Sequence, residues 1–374
     1  MTTGTSSASV TTDVTAASTL ALERRFPRLA GRLDRVHLTT LPTRVEPLHV
    51  LAAALGADLW IKRDDVSAEW YGGNKPRKLE FLLGAVLRRG YGSVLTFGPL
   101  GTHHGLATSI AARIIGLPTM LVLIPQPVTP AVRHALLLDH AYGAELHLAT
   151  SVSRAALVAA SLVARETLAG RRPLVVMPGG TSPTGVLGFV NAGLELAEQI
   201  ARGEAPEPAA VFVALGTGGT AAGLLLGFAL AGLATRVVAV LVTDVIPPTH
   251  ARVLRLAARA WRLLSRLDPD LPHPSLAADR LTIVTDQLGA GYGAATAAAE
   301  EARQRLEQLE GVRLDSTYTA KCAAALLARG AAPASGGGPL LFWHTYSAID
   351  PAARIAVLPE PAQLPRQFQR FFTP

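Results

Sequence analysis

Short apolar runs of the kind found in β-strands alternate along the chain with longer stretches that have helical spacing. The apolar runs occupy Ser93–Phe97, Thr119–Ile124, Glu145–Leu148, Leu174–Met177, Ala210–Leu215, Val237–Val242, Leu281–Val284 and Leu340–Trp343. The helical stretches include His104–Ile115, Arg154–Leu168, Phe189–Ala201 and Ala295–Leu309. Strands that are apolar throughout are typical of a parallel sheet that helices cover on both faces. The pattern predicts an α/β fold with ligand sites at the carboxyl ends of its strands.

The two ends of the chain depart from this alternation. The start is rich in Ser, Thr and Ala and has no basic segment before an apolar one, so we predict a disordered tail over residues 1–22 rather than a secretory signal. Residues 331–339 read AAPASGGGP and predict a surface loop. Near the other end, Phe368, Phe371 and Phe372 lie in a proline-broken segment. We expect these rings to dock on the body of the protein or on another subunit.

Composition excludes several classes of protein. The chain has 374 residues, of which 49% are hydrophobic and 17% are charged, so it can bury a core and is not mainly disordered. No apolar run is long enough to cross a bilayer, and we expect no membrane partner. The single cysteine, Cys322, excludes an internal disulfide and a cysteine-built metal site. We therefore expect a cytoplasmic protein without a metal.

The charged residues narrow the picture further. The formal net charge is +7, but the excess is Arg spread along the chain without a basic block, so we expect no nucleic-acid partner. Lysine is rare: the chain has only Lys62, Lys75, Lys78 and Lys321. Where Arg replaces Lys almost everywhere, a retained lysine indicates a position whose chemistry needs a primary amine. A Schiff base is such chemistry, because a guanidinium stays protonated.

One of these lysines follows a glycine turn. The segment LWIKRDDVSAEWYGGNKPRKLEFLL, residues 59–83, begins like a strand and turns at Gly-Gly-Asn before Lys75. Pro76 fits the first turn of a helix, where its missing N–H has no partner to lose. Lys75 would then lie at a helix N-terminus, whose positive end lowers the pKa of an amine, as a Schiff-base lysine requires. Read alone, the segment also fits a turn with a solvated lysine.

A second glycine-rich turn follows the apolar strand at residues 211–215. The turn consists of Gly216, Thr217, Gly218, Gly219 and Thr220 and opens a helix of small residues. Glycines let several backbone N–H groups approach an anion, and the hydroxyls and the helix N-terminus add to the attraction. The loop predicts a phosphate cradle and is not a Walker loop, because no Gly-Lys-Ser/Thr follows. An ordinary strand–helix turn remains the alternative.

Other polar clusters lie at predicted strand ends or in glycine loops. They are TFGPLGTHHG at 96–105, GAGYG at 289–293, LDSTYTAK at 314–321 and FWHTYS at 342–347. The first can hold a carboxylate through backbone N–H groups and a hydroxyl. Its two adjacent histidines diverge on a helix and do not have the spacing of metal ligands. Each cluster alone fits an ordinary turn.

In this order, the segments resemble the 1-aminocyclopropane-1-carboxylate deaminase and D-cysteine desulfhydrase family. These are pyridoxal-phosphate enzymes of the tryptophan-synthase-β-like fold type II. The resemblance comprises LPTRVEPL at 41–48, GGNKPRKLE at 72–80, PGGTSPTGVLGF at 178–189, GTGGT, GYG, DSTYTAK and, more weakly, FWHTYS. It covers residues from about 40 to 350. It implies an α/β fold with two open, twisted, mostly parallel sheets and helices on both faces.

The resemblance implies a role for each matching position. Lys75 carries pyridoxal 5′-phosphate as a Schiff base. The other cofactor contacts are Asn74, His103, Gly216, Thr217, Gly218, Gly219, Thr220 and Thr319, the last facing the pyridine nitrogen. The catalytic groups are Lys75, Tyr292, Tyr318 and Thr102. The substrate contacts are Thr102, His104 and Tyr346.

The residue at position 319 separates the two activities of the family. The cyclopropane deaminases have Tyr-Glu there, whereas the desulfhydrases have Tyr-Thr, as in Tyr318-Thr319 of this chain. Threonine offers only a hydroxyl to the pyridine nitrogen, which suits elimination of a good leaving group better than opening of an unactivated ring. We therefore expect D-cysteine desulfhydrase-like α,β-elimination or deamination of a small amino acid. The products are a 2-oxo acid, ammonia and, from cysteine, sulfide.

Several positions depart from the family pattern around the expected substrate. Thr102-His103-His104 replaces Ser-Asn-His/Gln, Pro99 interrupts a glycine run, Tyr346 replaces a glycine, and Ala320 replaces the glycine before the lysine. Because the cofactor anchors remain, these changes indicate altered substrate choice. The alternatives are a β-replacement or other amino-acid transformation of a specialised pathway, or a non-catalytic protein that binds the cofactor.

The resemblance also implies how the chain is organised. Residues 23–90 together with 191–374 form a large cofactor-binding domain. Residues 91–190 form a small domain that closes over the substrate. The family implies a homodimer.

Overall fold

The computed structural model describes residues 19–331 and 338–372. Its strands are β1 Val45–Pro47, β2 Leu59–Lys62, β3 Ser93–Pro99, β4 Thr119–Ile124, β5 Glu145–Leu148, β6 Pro173–Val176, β7 Ala210–Leu215, β8 Arg236–Leu241, β9 Leu281–Val284 and β10 Leu340–Trp343. Its helices are α1 Ala21–Arg25, α2 His49–Leu55, α3 Asn74–Arg89, α4 His103–Ile114, α5 Pro130–Ala141, α6 Val152–Leu168, α7 Pro183–Ala201, α8 Gly219–Ala231, α9 His250–Leu267, α10 Ala297–Glu310, α11 Thr319–Gly330 and α12 Arg366–Gln369.

The strands form two sheets. The larger has six strands in the order β1-β2-β10-β7-β8-β9, and the smaller has four in the order β5-β4-β3-β6. Every neighbouring pair is parallel except β1 with β2. The α/β class and the two mostly parallel sheets are therefore confirmed. The apolar pattern missed β1, a three-residue edge strand that ends in Pro47, because so short a segment shows no period and proline is tolerated at a sheet edge.

Helices cover both faces of the larger sheet. Alternate residues of β7 enter separate cores: Val211 and Val213 pack with α7, α8 and α9, whereas Ala210 and Phe212 pack with α10 and α11. The helix α8 is buried along almost its whole length, which explains why its sequence is apolar all round. The smaller sheet is covered by α3 and α4 on one side and by α6 on the other.

A buried ionic cluster fixes the start of α3. Arg77 donates to Asp64 Oδ1 at 2.7 Å and to Glu195 Oε2 at 2.9 Å. Lys62 donates to Glu195 Oε1 at 2.7 Å, and all four side chains are nearly inaccessible to solvent. Burying these charges is tolerated because each is paired and hydrogen-bonded. The cluster ties α3 to β2 and α7 two residues after Lys75.

Both ends of the described chain pack on the body. Phe368 is fully buried with Leu100, Leu121 and Leu123 of the smaller-sheet region, so the predicted docking of the C-terminal aromatic segment occurs on the same chain. Of the tail predicted over 1–22, residues 1–18 lie outside the described residues. The last part of that prediction is wrong, because α1 begins at Ala21 and Leu22 is buried. Most of the loop predicted over 331–339 also lies outside.

The domain division stays a prediction. The strands of the smaller sheet span residues 93–176, inside the predicted small domain. The boundary at residue 190 falls within α7, which is continuous over Pro183–Ala201 and packs on α3 and α8. Among the described helices, none has the length and apolar character needed to cross a membrane.

Candidate active site

A cavity of about 760 Å³ lies at the carboxyl ends of strands from both sheets. Residues following β7, β8 and β10 border it on the side of the larger sheet, and residues at the ends of β3, β4 and β6 border it on the other side. This is where an α/β fold places ligands. The cavity brings together Lys75, the glycine loop and most of the other polar clusters singled out in the sequence.

Lys75 enters the cavity from the first turn of α3, as predicted. Two glycines before it let three loops meet: a Cβ on Gly72 would lie 1.7 Å from the Asp65 carbonyl oxygen, and one on Gly73 would lie 2.4 Å from that of Thr345. Gly73 also has φ +82°, which a side chain disfavours. Burial lowers the pKa of Lys75 to about 8, and the Asp315 carboxylate opposes this effect. The site therefore holds an amine that is partly neutral near neutral pH.

The loop Gly216–Thr220, predicted to be a phosphate cradle, borders the cavity. It joins β7 to α8, whose N-terminal N–H groups open towards the cavity side, and Gly218 has φ +88°. Thr217 shares a hydrogen bond with Thr181, and Asn74 Nδ2 donates to Thr220 Oγ1 at 3.2 Å. Hydroxyls and free backbone N–H groups at the start of a buried helix suit a phosphate. Asn74 thus lies beside the loop, and its implied contact with the cofactor stays a prediction.

Lys78 is a cradle residue that the sequence analysis did not assign. It lies one turn after Lys75 on α3, is nearly inaccessible, and donates to the Gly179 carbonyl oxygen at 3.2 Å. Its Nζ lies 3.1 Å from where a Cβ on Gly219 would be, so only glycine leaves this space open. Burial, followed by the charge of Lys75, holds the pKa of Lys78 well below its usual range. A phosphate dianion bound at the glycine loop would favour the protonated form of this buried amine, so Lys78 fits a phosphate site. The spacing of three residues from Lys75 is the signal that could have found it.

Two tyrosines form a hydrogen-bonded pair in the cavity. The Oη atoms of Tyr292 and Tyr318 are 2.6 Å apart, and their rings meet edge to face. The backbone N–H of Tyr292 donates to Asp244 at 3.0 Å, and Lys321 donates to the Leu288 carbonyl oxygen at 2.7 Å, which holds the tyrosine loop. Burial raises the pKa of both phenols. Both are therefore protonated at neutral pH and can pass a proton along their shared hydrogen bond.

Thr319 is not among the residues that border the cavity, and its implied contact with the pyridine nitrogen stays a prediction. It is buried behind the cavity wall, where its hydroxyl donates to Asp315 Oδ1 at 2.6 Å. The Asp315 carboxylate borders the cavity instead and also accepts hydrogen bonds from the backbone N–H groups of Thr317, Tyr318 and Thr319. The carboxylate caps α11 and turns the threonine hydroxyl towards itself. The sequence analysis assigned no role to Asp315, because the direction of a side chain within the turn at residues 315–319 leaves no pattern along the chain.

His103 is the first residue of α4 and lies among aromatic side chains. Its Nδ1 is 2.9 Å from Tyr71 Oη, and its ring meets Tyr346 edge on, with ring centres 5.4 Å apart. The ring is open to the cavity, while the protein around the cleft lowers its pKa by excluding water. Burial raises the pKa of Tyr71, so this phenol keeps its proton and can donate it to Nδ1. When Tyr71 donates to Nδ1, the proton of neutral His103 lies on Nε2, which makes that atom a donor.

The remaining predicted substrate contacts are tied into the fold. The Thr102 hydroxyl accepts the backbone N–H of Gly105 at 3.2 Å and caps α4. His104 is buried, with Nε2 at 3.0 Å from Thr96 Oγ1, and burial holds its pKa well below the usual range. Both residues border the cavity, and Tyr346 does so more openly. No group of three or more potential metal ligands occurs within the described ranges.

Comparisons with known proteins identify relatives of the whole chain. A family model described as pyridoxal-phosphate dependent enzyme matches residues 36–345. A Pyrococcus abyssi (strain GE5 / Orsay) protein, provisionally named 1-aminocyclopropane-1-carboxylate deaminase, is 31% identical over 85% of this chain and 92% of its own length. D-cysteine desulfhydrase from Salmonella choleraesuis (strain SC-B67) is 32% identical over 85% of this chain and 95% of its own. The crystal structure of an ACC deaminase homologue superposes with a TM-score of 0.73 at 31% identity, covering 86% of this chain and 94% of that one. The chain therefore belongs to the pyridoxal-phosphate-dependent enzyme family.

Proposed function

We propose that the protein catalyses α,β-elimination from an amino acid, as its desulfhydrase relative is named to do with D-cysteine. One observation carries the proposal: Lys75, with a pKa lowered to about 8, borders the same cavity as the Tyr292–Tyr318 pair. An amine and a phenol pair of this kind can remove one proton and deliver another. The products are a 2-oxo acid, ammonia and the leaving group.

The chain's own residues would hold the cofactor by its two ends. Lys75 attaches it covalently, while Lys78, Thr217, Thr220 and the α8 N-terminus bind its phosphate. The role of Asn74 is to join the two ends, because its side chain donates to Thr220 from the residue next to Lys75. When bound, the cofactor supplies an electron sink for the carbanion formed at the α-carbon.

Proton handling falls to Lys75 and the tyrosines. The Lys75 amine, once released from the cofactor, is neutral in an appreciable fraction near pH 7 to 8 and can take the α-proton. Tyr318 and Tyr292 keep their protons and can protonate the leaving group through their shared hydrogen bond. His103 Nε2–H could donate a hydrogen bond to the phenolic oxygen of the cofactor or to the substrate carboxylate.

The reaction class is tested with purified protein and pyridoxal 5′-phosphate. The visible spectrum is recorded before and after addition of D-cysteine, L-cysteine or 1-aminocyclopropane-1-carboxylate, and 2-oxo acid and ammonia are measured. Pyruvate from cysteine supports elimination, whereas 2-oxobutyrate from the cyclopropane substrate would move the assignment to ring opening. Lys75→Ala is expected to lose the visible band of the lysine-bound cofactor while keeping the fold by circular dichroism. A band that survives in this variant contradicts the assignment of Lys75.

We propose two features of the assembly on the same basis. The smaller sheet and its helices form the small domain that closes over the substrate, since its strand ends border one side of the cavity. The protein acts in the cytoplasm and forms a homodimer. Sedimentation of the purified protein tests the dimer.

A further inference from the structure

The cavity extends beyond the catalytic groups into an apolar compartment. We use this name for Phe97, Val122, Ile124, Val152, Ala155, Ala156, Val175, Met177, Val245 and Ile246, which all border the cavity. Most of them lie at the ends of β3, β4 and β6 or on the first turn of α6. Most of the compartment therefore lies on the small-sheet side of the cavity, and Val245 and Ile246 of the loop after β8 add to it from the larger sheet.

Large apolar side chains in this compartment face solvent. Val152, Val175, Met177, Val245 and Ile246 are between 42% and 61% exposed. Single exposed apolar residues are common, but a contiguous group in a concave site marks a surface that a ligand covers. The polar residues Gln126, Thr243 and Asp244 border the cavity outside this group of apolar side chains. A polar or charged substrate side chain would lose water within the compartment without gaining a partner.

The size of the cavity points to the same conclusion. Its volume of about 760 Å³ is in the upper part of the range of ~300–1,000 Å³ for pockets that enclose drug-sized ligands. The cofactor occupies the part between Lys75 and the cradle. The side chain of cysteine is one methylene and a thiol, which is too short to cover the apolar wall beyond the reacting carbon.

We infer that the cavity selects amino acids with a bulky apolar side chain, and that the elimination substrate is a cysteine whose sulfur carries an alkyl or aryl group. The inference rests on the proposed function for the reaction class but not for the selectivity. The α-proton is removed, the Cβ–S bond breaks with its electron pair left on sulfur, and a proton converts the thiolate into a free thiol. The 2-aminoacrylate released takes up one water and yields pyruvate and ammonia. No oxidant or reductant is consumed.

Selectivity is measured first by turnover. Pyruvate formation is compared for cysteine and S-benzylcysteine, each in both enantiomers. Because one methylene in an apolar pocket changes kcat/KM by ~10-fold or more, we expect S-benzylcysteine to be preferred by at least ~10-fold. Equal or lower kcat/KM for S-benzylcysteine overturns the inference and leaves elimination itself intact.

Binding without turnover separates the two proposals. Phenylalanine and alanine have no leaving group, and their binding is followed by the shift of the visible cofactor band. Phenylalanine is expected to bind at least ~10-fold more tightly than alanine, since it alone covers the compartment. If no cysteine derivative yields pyruvate but phenylalanine binds more tightly, the proposed function fails and the selectivity stands. Equal binding of both contradicts the selectivity.

A matched pair of variants on one helix localises the effect. Ala156 and Ala160 are both exposed on α6, but only Ala156 borders the cavity. Ala156→Trp is expected to lower kcat/KM for S-benzylcysteine by ~10-fold or more while changing that for cysteine by less than ~3-fold, and Ala160→Trp is expected to change neither. A second pair, Val152→Asp and Leu157→Asp, makes the same comparison with a charge. Loss in both members of a pair, or in neither, contradicts the compartment as the source of selectivity.

Discussion

Thr319 donates its hydroxyl hydrogen bond to Asp315, with 2.6 Å between Oγ1 and Oδ1, and this contact decides which of the two meets the cavity. The hydroxyl that the family resemblance placed towards the cofactor ring is used inside the turn. Asp315, whose carboxylate accepts this hydrogen bond, borders the cavity, and its charge acts on Lys75, His103 and both tyrosines. For Lys75, the charge of Asp315 therefore opposes the larger effect of burial.

The first prediction follows from that charge. Asp315 raises the pKa of Lys75 against the larger, opposite effect of burial, which leaves it at about 8. Asp315→Asn keeps the size of the side chain and removes the charge, so we expect the pKa of Lys75 to fall below that of the parent protein. The pH dependence of cofactor re-attachment to cofactor-free protein reports this pKa, and its acid limb should shift to lower pH. The exposed Asp286→Asn is the control, and an unshifted limb in Asp315→Asn contradicts the prediction.

The second prediction concerns Lys78. Its ammonium points at the space kept open by Gly219, so Lys78→Met should weaken cofactor binding by ~10-fold or more, as expected for a charge-assisted hydrogen bond worth about 1.5–3 kcal/mol. Covalent attachment at Lys75 remains, so the visible band is retained at saturating cofactor. Equilibrium dialysis measures the affinity. Arg89→Met removes an exposed cation at the far end of the same helix and should leave the affinity unchanged.

The third prediction tests the tyrosine pair. Tyr292→Phe and Tyr318→Phe each break the shared hydrogen bond and should each lower kcat by ~10²-fold, the lower end for a positioned acid or base. Because the two phenols act as one unit, the double variant should lose little more than either single variant. Full multiplication of the two losses shows that they act independently. An unchanged cofactor spectrum in all three variants confirms that the site is still assembled.

The fourth prediction concerns acid stability. Burial alone raises the pKa of Glu195, but Arg77 and Lys62 outweigh it and lower the pKa to about 2. A depressed carboxyl pKa stabilises the fold above the unfolded value of ~4.3, and this stability is lost as the pH falls from there to about 2. Thermal melts between those pH values should show that loss in the parent protein and less of it in Glu195→Gln.

Removing the charge also has a direct effect on the fold. Glu195→Gln leaves Arg77 and Lys62 short of a buried counter-charge, which should destabilise the protein by about 3–5 kcal/mol near neutral pH. The exposed Glu301→Gln serves as the control and should alter neither the melting temperature nor its pH dependence.

Much of this molecule could be predicted from the sequence, for identifiable physical reasons. Continuous apolar strands and glycine punctuation are local signals, so β3 to β10, the turn before Lys75 and the loop Gly216–Thr220 follow from them. Side-chain direction within a turn is not such a signal. Asp315 and Thr319 are close in the chain, yet which of them borders the cavity depends on how the carboxylate caps α11.

The rest depends on contacts between distant segments. Thr181 meets Thr217 only because α7 and α8 pack side by side. Val175 and Val245 border the same cavity only because the strand ends of the two sheets face it from different sides. Their apolar character alone does not predict a shared cavity. The scarcity of lysine was the more informative pattern, since Lys62, Lys78 and Lys321 are buried and Lys75 borders the cavity.

That inward placement of every lysine has a chemical consequence. The outer surface carries guanidinium groups but no lysine amine, so reagents that acylate or glycate side-chain amines find no lysine target there. In the cofactor-free protein, the accessible lysine amine is that of Lys75, and its lowered pKa leaves a larger neutral, nucleophilic fraction than a solvated lysine has. An aldehyde that meets the folded chain therefore encounters this side-chain amine at the place where the cofactor, itself an aldehyde, is expected to bind.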